Sequence, residues 1–182
     1  MTAIFTELEE IFTNGVSHEY LGEAVSVVEH SLQCADLAAD SAAPSSLILA
    51  ALLHDIGHLL ISDSARAYEM DLDRMHDEIG ASWIAERFPE SVVEPVRLHV
   101  AAKRYLVSTD MGYMAKLSEA SIRTLELQGG KMNAREVADF ESNPYWRDSI
   151  QVRLWDDAGK VAGKNCSSLN SFRHIVESLF IG

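Results

Sequence analysis

At 182 residues, 47% of them hydrophobic and 24% charged, the chain can bury a core of its own and is too apolar to be a disordered segment. Its 15 Lys and Arg against 28 Asp and Glu leave a net charge of −13, a field that repels phosphate backbones and anionic headgroups. General nucleic-acid or acidic-membrane binding is excluded, and any anionic substrate must be held by a few well-placed cations.

The elements read as helices throughout. Ile4, Phe5, Leu8, Ile11 and Phe12 recur at helical spacing behind Thr2, a possible N-cap. A second helix is expected from Gly22 to about Ala39, with Val27, His30, Cys34 and Leu37 along one stripe. Asp40–Ser46, with Pro44, breaks the chain, and Ser45 or Ser46 then caps a very apolar helix, LILAALLHDIGHLL. Ile61–Asp73 reads as a loop and Met75–Phe88 as a helix. Pro89-Glu90-Ser91 ends that helix and caps the next, Val92 to about Val107. Further helices follow at Ser118–Leu127, closed by Gly129-Gly130, at Asn133–Glu141, at Tyr145–Ala158 and at Leu169–Phe180. With no alternating strand pattern, the expectation is an all-α fold in which residues 1–182 form a single helical domain.

Cys34 and Cys166 stand in no redox or metal spacing, which fits a reducing compartment. The segment MTAIFTELEEIF has no cationic leader, and the run Leu47–His54 is too short to span a bilayer. A soluble cytoplasmic protein is expected.

Seven histidines carry the chemistry: His18, His30, His54, His58, His76, His99 and His174. His54-Asp55 lies inside the most apolar helix, where a carboxylate is costly unless it is paired or metal-bound. Alone, the pair reads equally well as a buried His–Asp hydrogen bond with Asp55 as a cap. His30 on an apolar stripe, His76 and His99 on later helices and Asp156 on a late helix favour a metal site. Mixed imidazole and carboxylate ligands suit iron, manganese or zinc, with iron favoured. His18 and His174 have no partner in the pattern and read as ordinary histidines.

Lys103 lies one turn after His99, Arg153 shares a face with Asp156, and His58 lies one turn after His54. These form a candidate anion pocket suited to phosphate or phosphonate oxygens, to which Ser121 and Gln128 could add neutral donors. Glu23 could serve a cationic substrate group or only a helix N-terminus. Tyr20 could ligate a metal, donate a hydrogen bond or pack.

The order His30, His54-Asp55, His76, His99, Asp156 resembles the HD-domain superfamily of helical metalloproteins. The stretches EYLGEAVSVVEHSLQCA, LAALLHDIGH, HVAAKRYLVS, LSEASIRTLELQGG and RLWDDAGK resemble, more narrowly, its phosphonate-cleaving dioxygenases, the family acting on 2-amino-1-hydroxyethylphosphonate. The resemblance implies a mixed-valent Fe(II)/Fe(III) pair held by His30, His54, Asp55, His76, His99 and Asp156, with Asp55 bridging. It implies phosphonate contacts from His58, Lys103, Ser121, Gln128 and Arg153. Glu23 would receive the substrate ammonium, and Tyr20 would occupy an iron position until substrate displaces it. The implied reaction uses O2 to cleave a C–P bond, releasing phosphate and an amino acid, downstream of a phosphonate hydroxylase. The segment Ile61–Arg74, with Tyr68 and Met70, departs from the family pattern, so the amine is either primary or N-trimethylated. The competing readings are an HD phosphohydrolase acting on a phosphomonoester or nucleotide, and a non-catalytic HD module.

Overall fold

A computed structural model of the chain describes residues 2–15, 23–61 and 76–182. The described residues form helices without strands, as the sequence pattern implies. In chain order these are α1 (Ala3–Gly15), α2 (Val27–Asp40), α3 (Ser45–Leu53), α4 (Ile56–Leu60), α5 (His76–Ala85), α6 (Glu90–Arg97), α7 (His99–Thr109), α8 (Glu119–Leu127), α9 (Ala134–Ser142), α10 (Trp146–Ala158) and α11 (Arg173–Leu179). None is long and apolar enough to cross a membrane.

Several boundaries differ from the expectation, each for a local reason. Thr2 stands just ahead of α1, where its carbonyl accepts from Thr6 N at 3.3 Å, while its hydroxyl donates to Glu177 Oε1 on α11 at 2.9 Å. Helix α2 starts at Val27, not Gly22, because Ser26 and Glu29 close a capping box: Glu29 N donates to Ser26 Oγ at 3.2 Å and Ser26 N to Glu29 Oε2 at 2.8 Å. Glu23 therefore sits ahead of the helix rather than on it. Pro44, not a serine, occupies the cap position of α3. The expected Val92–Val107 helix is two helices that meet at Leu98, three residues after Pro95 has removed one N–H from the ladder. The closing helix begins as a 3₁₀ turn over Leu169–Phe172. The Gly129-Gly130 stop is as expected, with φ of 101° and 66° in the region glycine alone enters freely, and Gly130 N returns to Leu125 O at 2.8 Å.

Helix α3 has no polar face, so burying it requires neighbours on every side. They are α2, α6, α10 and α11, which pack around it. Leu49, Leu52 and Leu53 are fully buried there, each stabilising by about 2 kcal/mol. The long apolar helix read from the sequence is interrupted at its His-Asp pair: Asp55 takes φ −104° and ψ 14°, and α4 leaves in a new direction to lie against α5. That packing is backbone on backbone. A Cβ on Gly57 would stand 2.0 Å from His76 O, and one on Gly80 would stand 3.2 Å from Gly57 N.

Gly57→Ala is therefore expected to destabilise the fold by about 1–3 kcal/mol, as overpacking against rigid backbone does. Gly80→Ala should cost less, since its closest contact, 3.2 Å from Gly57 N, needs a shift of only a few tenths of an ångström rather than more than about 1 Å. Equal denaturant midpoints for the two variants and the parent chain would contradict this packing.

Candidate metal centre

Five separate helical segments deliver the pattern residues to one place. His30 comes from the first turn of α2, and His54 and Asp55 from the α3–α4 break. His76 and His99 are the first residues of α5 and α7, and Asp156 belongs to the last turn of α10. All six are buried, none more than 4% exposed.

They form two adjoining groups. In the first, His30 Nε2 lies 3.1 Å from His54 Nε2, 3.5 Å from Asp55 Oδ2 and 3.4 Å from Asp156 Oδ1. In the second, His76 Nε2 lies 3.1 Å from His99 Nε2 and 3.5 Å from Asp55 Oδ1, with His99 Nε2 at 3.6 Å from the same oxygen. Asp55 thus turns one oxygen to each group.

The outer hydrogen bonds fix how the rings face. His30 Nδ1 donates to Gly159 O at 2.9 Å, His54 Nδ1 to Ala51 O at 2.8 Å and His99 Nδ1 to Val96 O at 2.7 Å. In the neutral rings the Nε2 lone pairs then point inward. With both rings neutral, His30 and His54 would place two lone pairs 3.1 Å apart, a repulsion that a proton or a metal cation between them relieves. Asp55 Oδ2 is buried without a hydrogen bond, Asp156 Oδ1 has the Lys160 ammonium as an ion-pair partner at 3.2 Å, and Asp55 stands at the start of α4 without capping it. The hydrogen-bonded cap considered from sequence is therefore not present. A buried carboxylate oxygen left in this way fits a metal ligand.

Charge supports that chemistry. Burial opposes ionisation of Asp55, yet His54, His58 and His76 hold its carboxyl well below the ordinary range. Burial likewise opposes ionisation of Asp156, and Arg153 and Lys160 override it. Burial, then repulsion from His76, keeps His99 well below its usual value and so neutral, as a ligand must be. His30, Cys34 and His54 also lie within ligating distance of one another. Burial, followed by the Asp156 and Asp55 charges, pushes the Cys34 thiol up, so it remains protonated and a poor ligand beside Asp156. Cys34 instead packs on His30 at 3.7 Å and donates to Trp155 O at 3.4 Å.

The anion-pocket residues are placed unevenly. His58, half-buried, stacks on His76 with ring centroids 4.2 Å apart. Lys103 is buried and donates to Thr124 Oγ1 at 2.8 Å. Arg153 spends much of its charge on the chain itself: Nη1 donates to Asp156 Oδ2 at 2.6 Å, Nε to Tyr113 Oη at 3.1 Å, and Nη2 pairs with Asp157 while reaching Ser121 Oγ at 3.4 Å. Ser121 lies in the first turn of α8 and Gln128 at its far end, about 10 Å apart along the axis. Glu23 Oε1 accepts from Ser118 Oγ at 2.6 Å. Tyr20, His18, Tyr68 and Met70 lie outside the described residues. His174 is exposed on α11, in keeping with an ordinary surface histidine.

Two residues not singled out from the sequence belong to this cluster. Lys160 Nζ stands 3.2 Å from Asp156 Oδ1, 3.4 Å from Ser121 Oγ and 3.6 Å from Glu23 Oε1. Its signal was its place one turn after Asp156. Tyr113 joins Arg153 and Asp157, and burial pushes its phenol up, so it stays protonated. Nothing local in the sequence announces it.

Comparison with known proteins agrees with this geometry. The HD-domain family model matches residues 27–128, a span that contains every ligand candidate but Asp156. A [1-hydroxy-2-(trimethylamino)ethyl]phosphonate dioxygenase (glycine-betaine-forming) of Leisingera caerulea is 44% identical over 169 residues, covering 93% of this chain and 86% of its own. A hydroxymethylphosphonate dioxygenase of Gimesia maris is 43% identical over 160 residues, covering 87% and 80%. An uncharacterized protein of Acanthamoeba polyphaga mimivirus is 35% identical over 160 residues, covering 87% and 73%. With the match reaching from helix α2 into α8 and its relatives aligned over most of their length, this chain belongs to the HD-domain family.

Proposed function

We propose that the chain is a non-haem di-iron dioxygenase that cleaves the C–P bond of a 1-hydroxy-2-aminoethylphosphonate-type substrate. Its products would be phosphate and glycine, or glycine betaine from the N-trimethylated form. The observation that carries the reading is Asp55, a buried carboxylate with one oxygen toward His30, His54 and Asp156 and the other toward His76 and His99. A single-metal site needs no such division. The two phosphonate dioxygenases, similar over most of the chain, support the same reaction class.

His30, His54, Asp156 and Asp55 Oδ2 would hold one iron, and His76, His99 and Asp55 Oδ1 the other. The iron pair, when bound, supplies the dioxygen chemistry. The protein's part is placement and charge. Lys103, Arg153 and His58 hold the phosphonate, with Ser121 and Gln128 as neutral donors, and Glu23 faces the ammonium. His58, stacked on His76 at the rim of the ligand set, either binds a phosphonate oxygen or carries a proton. Tyr20, outside the described residues, would serve as a ligand that substrate displaces.

The balance is simple. The hydroxyl-bearing carbon loses its hydrogen and its phosphorus and becomes a carboxylate. Phosphorus leaves as phosphate, and each product gains one oxygen atom from O2. The substrate carbon must already carry its hydroxyl, which places the enzyme after a phosphonate hydroxylase. Free Cys34 and Cys166 suit the cytoplasm.

Iron-loaded protein given 2-amino-1-hydroxyethylphosphonate, or its N-trimethyl form, should release phosphate only in the presence of O2. Anaerobic phosphate release from a phosphomonoester or nucleotide would replace the oxygenase by a hydrolase. Asp55→Ala should lose iron from both positions, since one carboxylate serves both. Lys103→Ala should keep its iron and raise KM by roughly thirtyfold or more, the loss expected when one partner of a buried charge contact is truncated. An iron-free Lys103→Ala would remove that division of roles.

A further inference from the structure

The two dioxygenase relatives are almost equally similar to this chain, yet their names differ in one chemical respect. One substrate carries a quaternary ammonium, and the other, hydroxymethylphosphonate, has no amine. A pocket built around a carboxylate for an ammonium serves the second compound poorly, because the carboxylate is then buried without a counter-charge. Glu23 is such a group, with its side chain only 12% exposed.

Lys160 changes this. Its side chain is 10% exposed, and its ammonium stands between Glu23 Oε1 at 3.6 Å and Asp156 Oδ1 at 3.2 Å, with Ser121 Oγ at 3.4 Å. It leaves the end of α10 at Gly159, which itself abuts Cys34, so the base of this side chain is fixed by core packing. A cation shared with Asp156 would repel the ammonium toward Glu23. Ser118 meanwhile donates to the same Glu23 oxygen at 2.6 Å and holds the carboxylate in place.

We propose that Lys160 is a specificity-determining residue: its ammonium neutralises Glu23 from within the protein, so the chain accepts a 1-hydroxyphosphonate that lacks an amine. A substrate with a cationic amine must share Glu23 with Lys160 and gains less from it than an unshared carboxylate would give. The inference rests on the reading of Glu23 as the ammonium-facing residue and extends it to substrate choice.

The test compares anaerobic binding of hydroxymethylphosphonate and 2-amino-1-hydroxyethylphosphonate to iron-loaded protein by calorimetry, with no turnover. The readout is the ratio of the two dissociation constants, amine-free over amine-bearing. Lys160→Met should raise that ratio by about tenfold or more, the scale of close buried charge pairs. Glu23→Gln should lower it, and Lys160→Arg should restore the parent value. Lys160→Gln gives the same reading if the methionine variant does not fold, and iron per chain is measured for each. An unchanged ratio in Lys160→Met and Lys160→Gln, or shifts of the same sign in Lys160→Met and Glu23→Gln, would overturn the proposal. Binding of both compounds without aerobic phosphate release would sink the oxygenase reading alone. Failure of both to bind would sink both readings.

Discussion

The structure is organised around a carboxylate that has been taken out of water. Asp55 is 1% exposed and lies just past the end of a helix with no polar face. Unpaired, a charge in that position would cost several kcal/mol. Its Oδ2 has no hydrogen bond, and its two oxygens face different histidine pairs. His54, His58 and His76 hold the carboxyl ionised, and the outward N–H groups of His30, His54 and His99 are tied to the carbonyls of Gly159, Ala51 and Val96. His54 and His99 are thus oriented by carbonyls three residues earlier in the chain, and His30 by the end of α10.

The same constraint explains the break in the apolar helix. If α3 continued through His54-Asp55, the α4 residues would follow its axis into the helices around it. Instead the backbone turns at Asp55, and Gly57 lets α4 meet α5 at His76 without an intervening side chain. The first residue of α5 is the ligand candidate itself, so the absence of a side chain at Gly57 and the position of His76 are one requirement. At the other group, Gly159 has a comparable place. Its carbonyl receives His30 Nδ1, and a Cβ there would stand 2.5 Å from Cys34 Sγ.

The helical class, the ligand candidates and most helix centres were legible from sequence because each rests on local information. That information is a 3.6-residue apolar period, a glycine stop, or a histidine out of place on an apolar stripe. The early start given to α2 overlooked the Ser26–Glu29 capping box, a short-range signal present in the sequence. The break at Asp55 was not legible, because a continuous apolar run says nothing about the direction in which it is buried. The partners of Arg153 were half legible. Asp156 lies one turn away on the same helix, but Tyr113 comes from a separate connection and carries no periodic mark. Lys160 was visible in spacing, yet its meaning depended on Glu23 and Ser121 arriving from two distant segments.

The charges around the site also bear on the order in which it fills. Among the described residues, Glu23, Asp55, Asp156 and Asp157 supply four carboxylates, against the three cations Lys103, Arg153 and Lys160. Arg153 and Lys160 already lean on those carboxylates, and the molecule as a whole carries −13. On the proposed reading, a phosphonate dianion approaching this set alone would meet a net negative charge, with Arg153 and Lys160 already engaged. Metal cations placed between the histidine pairs reverse the local sign, because they compensate Asp55 and Asp156 and leave the guanidinium and ammonium groups in excess. On the proposed reading, the chain's own electrostatics favour metal before anion, because the buried carboxylates must be compensated before the cations can turn to a substrate.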